Sequence, residues 1–447
     1  MNLLTIAWKS VKQRKLASLL TALSVALGVM AMVIVLVFAS AVDGSFNQRA
    51  IGWDLIIGPQ GSEQQLVLSA VYRIQGAIGN LPYAYWDEIK SDRRVVAAVP
   101  LAFGDATEQG AFPIVGTTGE YFQHDYMPDT PFQIRGKRIN GLYDAIIGSE
   151  VARVNNWDVG TQFQIQHGGG DKHIHDDKFT VVAVIRQTGT PNDRTVFINL
   201  EGFLALDGHS KPVDEVRDRI QKFYAEDPTR RDALLAQLDD YREHLAEDEA
   251  AGVDHGHAHH HETPEAMKEV TAILVKMRSQ FDTVSFNAQI NDGFRAMSVN
   301  PIIPIRRLMV NLVGPIRNIL MALTAMIILV SGVSIFVSIY NSMSDRRREI
   351  GIMRALGARR GSVFGIVLAE SAVLCVFGGV AGWLAGHGLA VVLAPYASTR
   401  TGLLLNRWAV NPWEAVLFPV LLVLAVLVGF LPAMTAYRTN VADALGS

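Results

Sequence analysis

A chain of 447 residues with a formal net charge of -3 has room for two or three ordinary domains, but its charge balance excludes the basic face that nucleic acid demands. The single cysteine, Cys375, sits in an apolar run, which excludes a disulfide scaffold and a thiolate metal centre. Apolar residues are bunched at the two ends of the chain, so the ends and the middle answer to different solvents.

Lys9, Lys12, Arg14 and Lys15 precede an apolar run over residues 16–42. That run exceeds the roughly 20 residues that cross a bilayer, whereas a signal peptide's apolar region needs only about 7 to 15, so residues 1–42 read as a leading helix and a retained first span. Between residues 43 and 315 the composition turns polar and mixed, and the pattern shortens to strand-sized pieces bounded by Gly, Pro, Asn and Asp. This predicts a folded α+β domain. Phe163 and Ile165 alternate with Gln162, Gln164 and Gln166 as on a half-exposed strand, and further strands are expected over 178–185 and 196–199, turned at Pro191-Asn192-Asp193. One charged surface helix is expected from Pro212 to about Asp248. The low-complexity stretch 254–262 reads as a mobile histidine-rich loop, after which Pro301 and Pro304 are expected to break the chain before it re-enters the membrane.

Three more apolar runs, 319–340, 362–393 and 415–436, are each long enough to span. The chain is therefore expected to be an α-helical membrane protein with four transmembrane helices and an α+β extracytoplasmic domain. The expected divisions are 1–42, 43–315, 316–343, 344–361, 362–393, 394–414 and 415–447. Arginines at 346, 347, 348, 354, 359 and 360, with the N-terminal cluster, place both termini in the cytoplasm by the positive-inside rule. Arg306, Arg307 and Arg317 run against it, but they end a long loop that crosses regardless of charge.

Between the second and third spans the chain reads Arg346-Arg347-Arg348-Glu349-Ile350-Gly351-Ile352-Met353-Arg354-Ala355-Leu356-Gly357-Ala358. On a helix Ile350, Met353 and Gly357 share one side, and Gly357 can close it as a C-cap. Such a helix suits a groove on a soluble partner, or is a positive-inside loop with no partner. This loop resembles the signature of the FtsX-like, MacB-like permeases of ABC transporters, with their LolC and LolE relatives. The likeness extends to Ile6-Ala7-Trp8-Lys9-Ser10 and Arg14-Lys15-Leu16, similar to the family's amphipathic leading helix. Residues 146–152, 158–161 and 180–184 are similar to its extracytoplasmic core. Pro432-Ala433 and Ala442-Asp443-Ala444-Leu445 resemble its ending, with Val441 where a proline is usual.

The resemblance implies a permease that dimerises, with itself or with a second permease chain, in the inner membrane. Cytoplasmic ATPase subunits holding ATP and Mg²⁺ would drive the external domains by mechanotransmission, on a substrate that is extracytoplasmic or drawn from the lipid bilayer. It implies coupling to the ATPase through Arg348, Glu349, Ile350, Gly351, Met353, Arg354, Ala355 and Gly357. The alternative is a signalling permease that controls a periplasmic or lipoprotein partner without moving a substrate. The sequence contains no G-x-x-x-x-G-K-[ST] loop, G-x-S-x-G elbow or H-E-x-x-H helix, so no cofactor and no catalysis are expected in this chain.

Two further patterns carry expectations. Gly378, Gly382 and Gly386 recur every four residues in the third span, which predicts a close helix contact; Glu370 in the same span reads as structural. The histidines form two groups, His167, His173 and His175 with Asp176 and Asp177, and His255, His257, His259, His260 and His261. Their donor chemistry suits zinc, as a weak and exchangeable site borne on loops. The competing reading is a solvated polar loop.

Overall fold

A computed structural model describes the chain except for residues 1–2, 14, 47–50, 168–173, 207–210, 251–262, 346, 402–409 and 439–447. The chain divides into two compact units, Ser45–Met309 and the remainder, Met1–Gly44 with Val310–Ser447. The inserted unit ends at Met309, short of residue 315, and Met309–Val313 is a π-helical turn that leads into the helix Gly314–Asp345. Pro301 and Pro304 do not break the chain. They stand at the start of the helix Ile302–Leu308, where a missing N–H and a fixed φ are tolerated.

In the membrane unit, four helices among the described residues are long and apolar enough to cross a bilayer. They are Ser18–Gly44, Ile302–Asn341, Arg360–Ala394 and Glu414–Thr435, preceded by the leading helix Leu3–Gln13. Each turns much of its apolar surface outward, as Leu19, Leu329, Phe377 and Leu427 show. That is the pattern of helices solvated by lipid rather than by a protein core. Between helices, contact falls on small residues. A Cβ placed on Gly378 would meet the Ala22 carbonyl oxygen at 2.7 Å, one on Gly382 the Ala26 oxygen at 2.4 Å, and one on Gly386 the Val33 Cβ at 2.8 Å. The three glycines thus form a stripe on which the backbone of the first span rests. Ser331 Oγ donates to Ser24 O at 2.9 Å, tying the second span to the first.

The inserted unit is built on a ten-stranded mixed sheet. Its strands are β1 Leu55–Gly58, β2 Val95–Thr107, β3 Pro113–Thr117, β4 Ile134–Gly136 and β5 Asp144–Ile147. They continue as β6 Gln162–Gln166, β7 Ile174–Ile185, β8 Val196–Asn199, β9 Ala272–Met277 and β10 Met297–Val299. The order is β10-β1-β9-β2-β3-β8-β5-β7-β4, with β6 bridging β2 and β7. All neighbours on this path are antiparallel except β3 with β8 and β5 with β7.

Both faces of the sheet are covered, which explains why its central strands are unbroken apolar runs and do not alternate. On β1, Leu55 and Ile57 join one core while Ile56 joins the other; on β8, Val196 and Ile198 face one way and Phe197 the opposite. The expected single helix over 212–248 is two, Val213–Phe223 and Pro228–Ala250. Asp227 ends the break by accepting from the Arg230 N–H at 3.1 Å, an N-cap set just before Pro228. Nor is the pair merely superficial, since Val216, Ile220, Phe223, Leu234 and Leu238 are buried in the first core.

Candidate functional site

Two places concentrate the residues to which the sequence points. The first is the loop between the second and third spans, where Arg347–Ala355 is helical. Gly357 takes φ +100°, the left-handed conformation a C-cap glycine supplies, and a Cβ there would meet nothing, so conformation rather than space selects glycine. The Ala358 N–H donates to Met353 O at 3.0 Å and the Gly357 N–H to Arg354 O at 3.1 Å. This 6→1 and 5→2 pair is the Schellman arrangement.

The side chains of this helix correct one expectation. Ile350 is 4% exposed and joins Val363, Val367 and Ala433 in the core of the membrane unit, with Met353 packed at its margin. Those two apolar side chains hold the helix to its own bundle and do not project towards a partner. Ile352 and Leu356 take the outward role, Leu356 at 83% exposure beside the cap. Gly351 is buried, Arg354 half-buried and Ala355 exposed, while the side chains of Arg348 and Glu349 lie outside the described residues.

The second place is in the inserted unit. Asp105 on β2, His167 just past β6 and His175 on β7 offer ligand atoms all within 4.8 Å of one another. The ladder pairs Ala106 with Gln166 and Gln166 with Ile174, so three strands bring together residues far apart in the chain. A register shift in β2 between Phe103 and Ala106 includes Gly104, at φ +156°, and this bulge turns Asp105 inward. His167 Nδ1 lies 3.3 Å from Asp105 Oδ1, and the two imidazole rings meet edge to face at 4.5 Å. His175 is 2% and Asp105 8% exposed. Gln164 Nε2 donates to His175 O at 3.0 Å, fixing the backbone beneath the imidazole.

The sequence pattern grouped His175 with His173, Asp176 and Asp177 on a loop; instead His175 is on a strand, Asp176 is exposed and Asp177 half-buried. His173, His255, His257, His259, His260 and His261 lie outside the described residues, as do Val441 and Ala442-Asp443-Ala444-Leu445. Asp105 was missed because no local spacing links it to a histidine 62 residues on.

A third polar group also escaped the sequence reading. Glu414, 2% exposed, accepts from Trp383 Nε1 at 2.8 Å and lies 2.8 Å from His387 Nε2. Its other oxygen accepts from the Asn411 N–H at 2.9 Å. Asn411-x-x-Glu414 is a capping-box spacing that could have signalled where the fourth span begins. Glu370 is buried at 5% exposure.

Residues 18–241 match the MacB-like periplasmic core domain and residues 321–441 the FtsX-like permease C-terminal region. An uncharacterized ABC transporter permease of Methanocaldococcus jannaschii is 22% identical over 99% of this chain and 97% of its own length. The macrolide export ATP-binding/permease protein MacB of Rhodopirellula baltica is 33% identical over 34% of this chain. The match spans only 21% of that longer relative. The periplasmic region of MacB from Actinobacillus actinomycetemcomitans superposes with a TM-score of 0.31 at 11% identity, over 59% of this chain and 96% of that one.

Proposed function

The chain belongs to the ABC transporter permeases of the FtsX-like, MacB-like type, and from that premise we propose that it works by mechanotransmission. A separate ATPase docks on the helix Arg347–Ala355, and its closure moves the inserted domain on the far side of the membrane. Two copies of the chain, or this chain and a second permease, pair in the inner membrane with both termini in the cytoplasm. The substrate is extracytoplasmic or membrane-derived, and the histidines add a link to divalent metal.

The observation that carries the docking is the outward pair Ile352 and Leu356 on a helix that Ile350 and Met353 anchor from behind. A helix held rigidly on one face while presenting apolar side chains on another transmits displacement and does not absorb it. Leu356→Asp tests this, because it changes the exposed tip without touching the bundle. The variant should reach the membrane and melt like the parent, but its affinity for the copurifying ATPase should fall about thirtyfold or more, the loss of an apolar anchor worth about 2 kcal/mol. Undiminished copurification and ATPase stimulation would remove the docking assignment. Met353→Asp is the poorer test, since it would damage the bundle as well.

A further inference from the structure

We propose that Asp105, His167 and His175 form a framed binding site for one divalent transition-metal ion of the zinc class. This deepens the metal link of the proposed function and rests on that link alone, independently of ATPase docking.

The argument begins with spacing. Zinc bonds to imidazole nitrogen and carboxylate oxygen at about 2.0–2.2 Å, so neighbouring ligand atoms of a tetrahedral site stand roughly 3.3 Å apart. Asp105 Oδ1 and His167 Nδ1 already stand 3.3 Å apart, and no separation among the three ligand groups exceeds 4.8 Å. Small changes of side-chain torsion bring all three onto one centre.

The frame comes next. The ligands stand on or directly beside three hydrogen-bonded strands, and two of the three are almost wholly buried, so little ordering entropy remains to be lost when an ion arrives. Donor type then selects the ion: two imidazoles with one carboxylate favour zinc and its borderline neighbours over calcium and magnesium, which prefer all-oxygen shells. Three protein ligands leave a fourth position for water or for a group on an incoming molecule. The ion would also clip β6 and β7 to the bulge of β2, so that occupancy stiffens this corner of the sheet.

The test uses the full chain in detergent, with His255, His257, His259, His260 and His261 all replaced by Ser so that the run cannot contribute. Zinc is titrated against a chromophoric chelator, and Co²⁺ serves as a spectroscopic probe of the ligand set. The expected result is one zinc equivalent and visible Co²⁺ bands of a four-coordinate nitrogen and oxygen site. His167→Ala, His175→Ala and Asp105→Asn should each weaken zinc at least about 100-fold, beyond what loss of an outer-shell partner gives. Asp105→Asn keeps the size and polarity of the side chain, and a melting curve recorded for each variant separates loss of zinc from loss of fold. The site is overturned if the Ser background binds no zinc equivalent, or if that equivalent survives all three substitutions. It is equally overturned if the substitutions shift only the melting temperature, which would mark a hydrogen-bonded cluster. Zinc binding retained in Leu356→Asp, and ATPase docking retained in His175→Ala, would show that the two readings stand or fall separately.

Discussion

In the membrane unit Gly378, Gly382 and Gly386 let two helices meet backbone to backbone, whereas in the inserted domain Phe179, Phe197 and Tyr224 fill the interior with large rings. The contrast follows from solvent. In water, every apolar ring removed from the surface adds to stability, so a two-faced sheet gains by large side chains on both sides. In lipid the tails are as apolar as leucine, and helices gain by approaching closely enough for dispersion and hydrogen bonds to act. The same chain therefore uses absence of side-chain volume in one unit and abundance of it in the other.

That contrast can be broken by subtraction in the domain and by addition in the membrane unit. Phe197 is fully buried, with Tyr121 and Phe122 rings at 5.1 and 5.3 Å, so Phe197→Ala should destabilise the inserted domain by about 3–5 kcal/mol. Chemical denaturation followed through tryptophan emission reads this; a cost below about 1 kcal/mol would show that the second core can collapse around the void.

Gly382→Ala adds a single carbon, but that carbon would lie 2.4 Å from the Ala26 oxygen, and a backbone atom of a packed span cannot retreat as a side chain can. A loss of about 1–3 kcal/mol is expected, seen as a lower melting temperature in detergent. Gly388→Ala on the same helix meets nothing within 4 Å and should be neutral or slightly stabilising. Equal behaviour of the two variants would dissolve the glycine stripe.

The smallest effect sharpens the comparison by means of a buried acid. Asp193 accepts from the Thr188 N–H at 2.7 Å, the Thr188 hydroxyl at 2.9 Å and the Gly189 N–H at 2.8 Å. Burial pushes its carboxyl above the ordinary range despite these donors. A raised folded-state value means the native domain holds the proton more tightly than the unfolded chain. This group's stabilisation therefore grows as pH falls through that raised value, is complete below the unfolded value, and is absent at neutral pH. Asp193→Asn cannot titrate, so the melting temperature of the parent relative to the variant should climb as pH falls from 7 towards 4. A flat difference would mean the carboxyl is not desolvated.

Elements fixed by local pattern were legible in the sequence, and arrangements fixed by distant pairing were not. The four spans follow from run length, and the strand at Val196–Asn199 from its apolar run and flanking turn residues. Gly357 announced its left-handed cap for the same local reason. Periodicity placed Ile350 and Met353 on one face but could not say that their own bundle, rather than a partner, covers it. The charged helical pattern runs on both sides of Pro228 and reads as one helix, whereas the structure starts a second helix at that proline. Asp105 and the pair His387 with Glu414 depend on strand order and helix packing, which no spacing along the chain encodes.

The pairing of β1 with β10 has a mechanical consequence. The two strands are antiparallel, with Ile56 opposite Val299 and Gly58 opposite Met297, so the residue that begins the domain's first strand and the one that ends its last are neighbours. In the chain, β1 follows the first-span helix Lys15–Ser45 after residues 46–54, and β10 is followed by the helix Ile302–Leu308. Tension drawn through both in one direction carries the strand pair as a single body, with the hydrogen bonds unloaded. Tension that separates them falls on the bond nearest the ends and opens the ladder one rung at a time, the geometry in which a β-pair yields most easily. The β1–β10 pair by itself thus resists a pull along both strands together more than a pull that parts their ends.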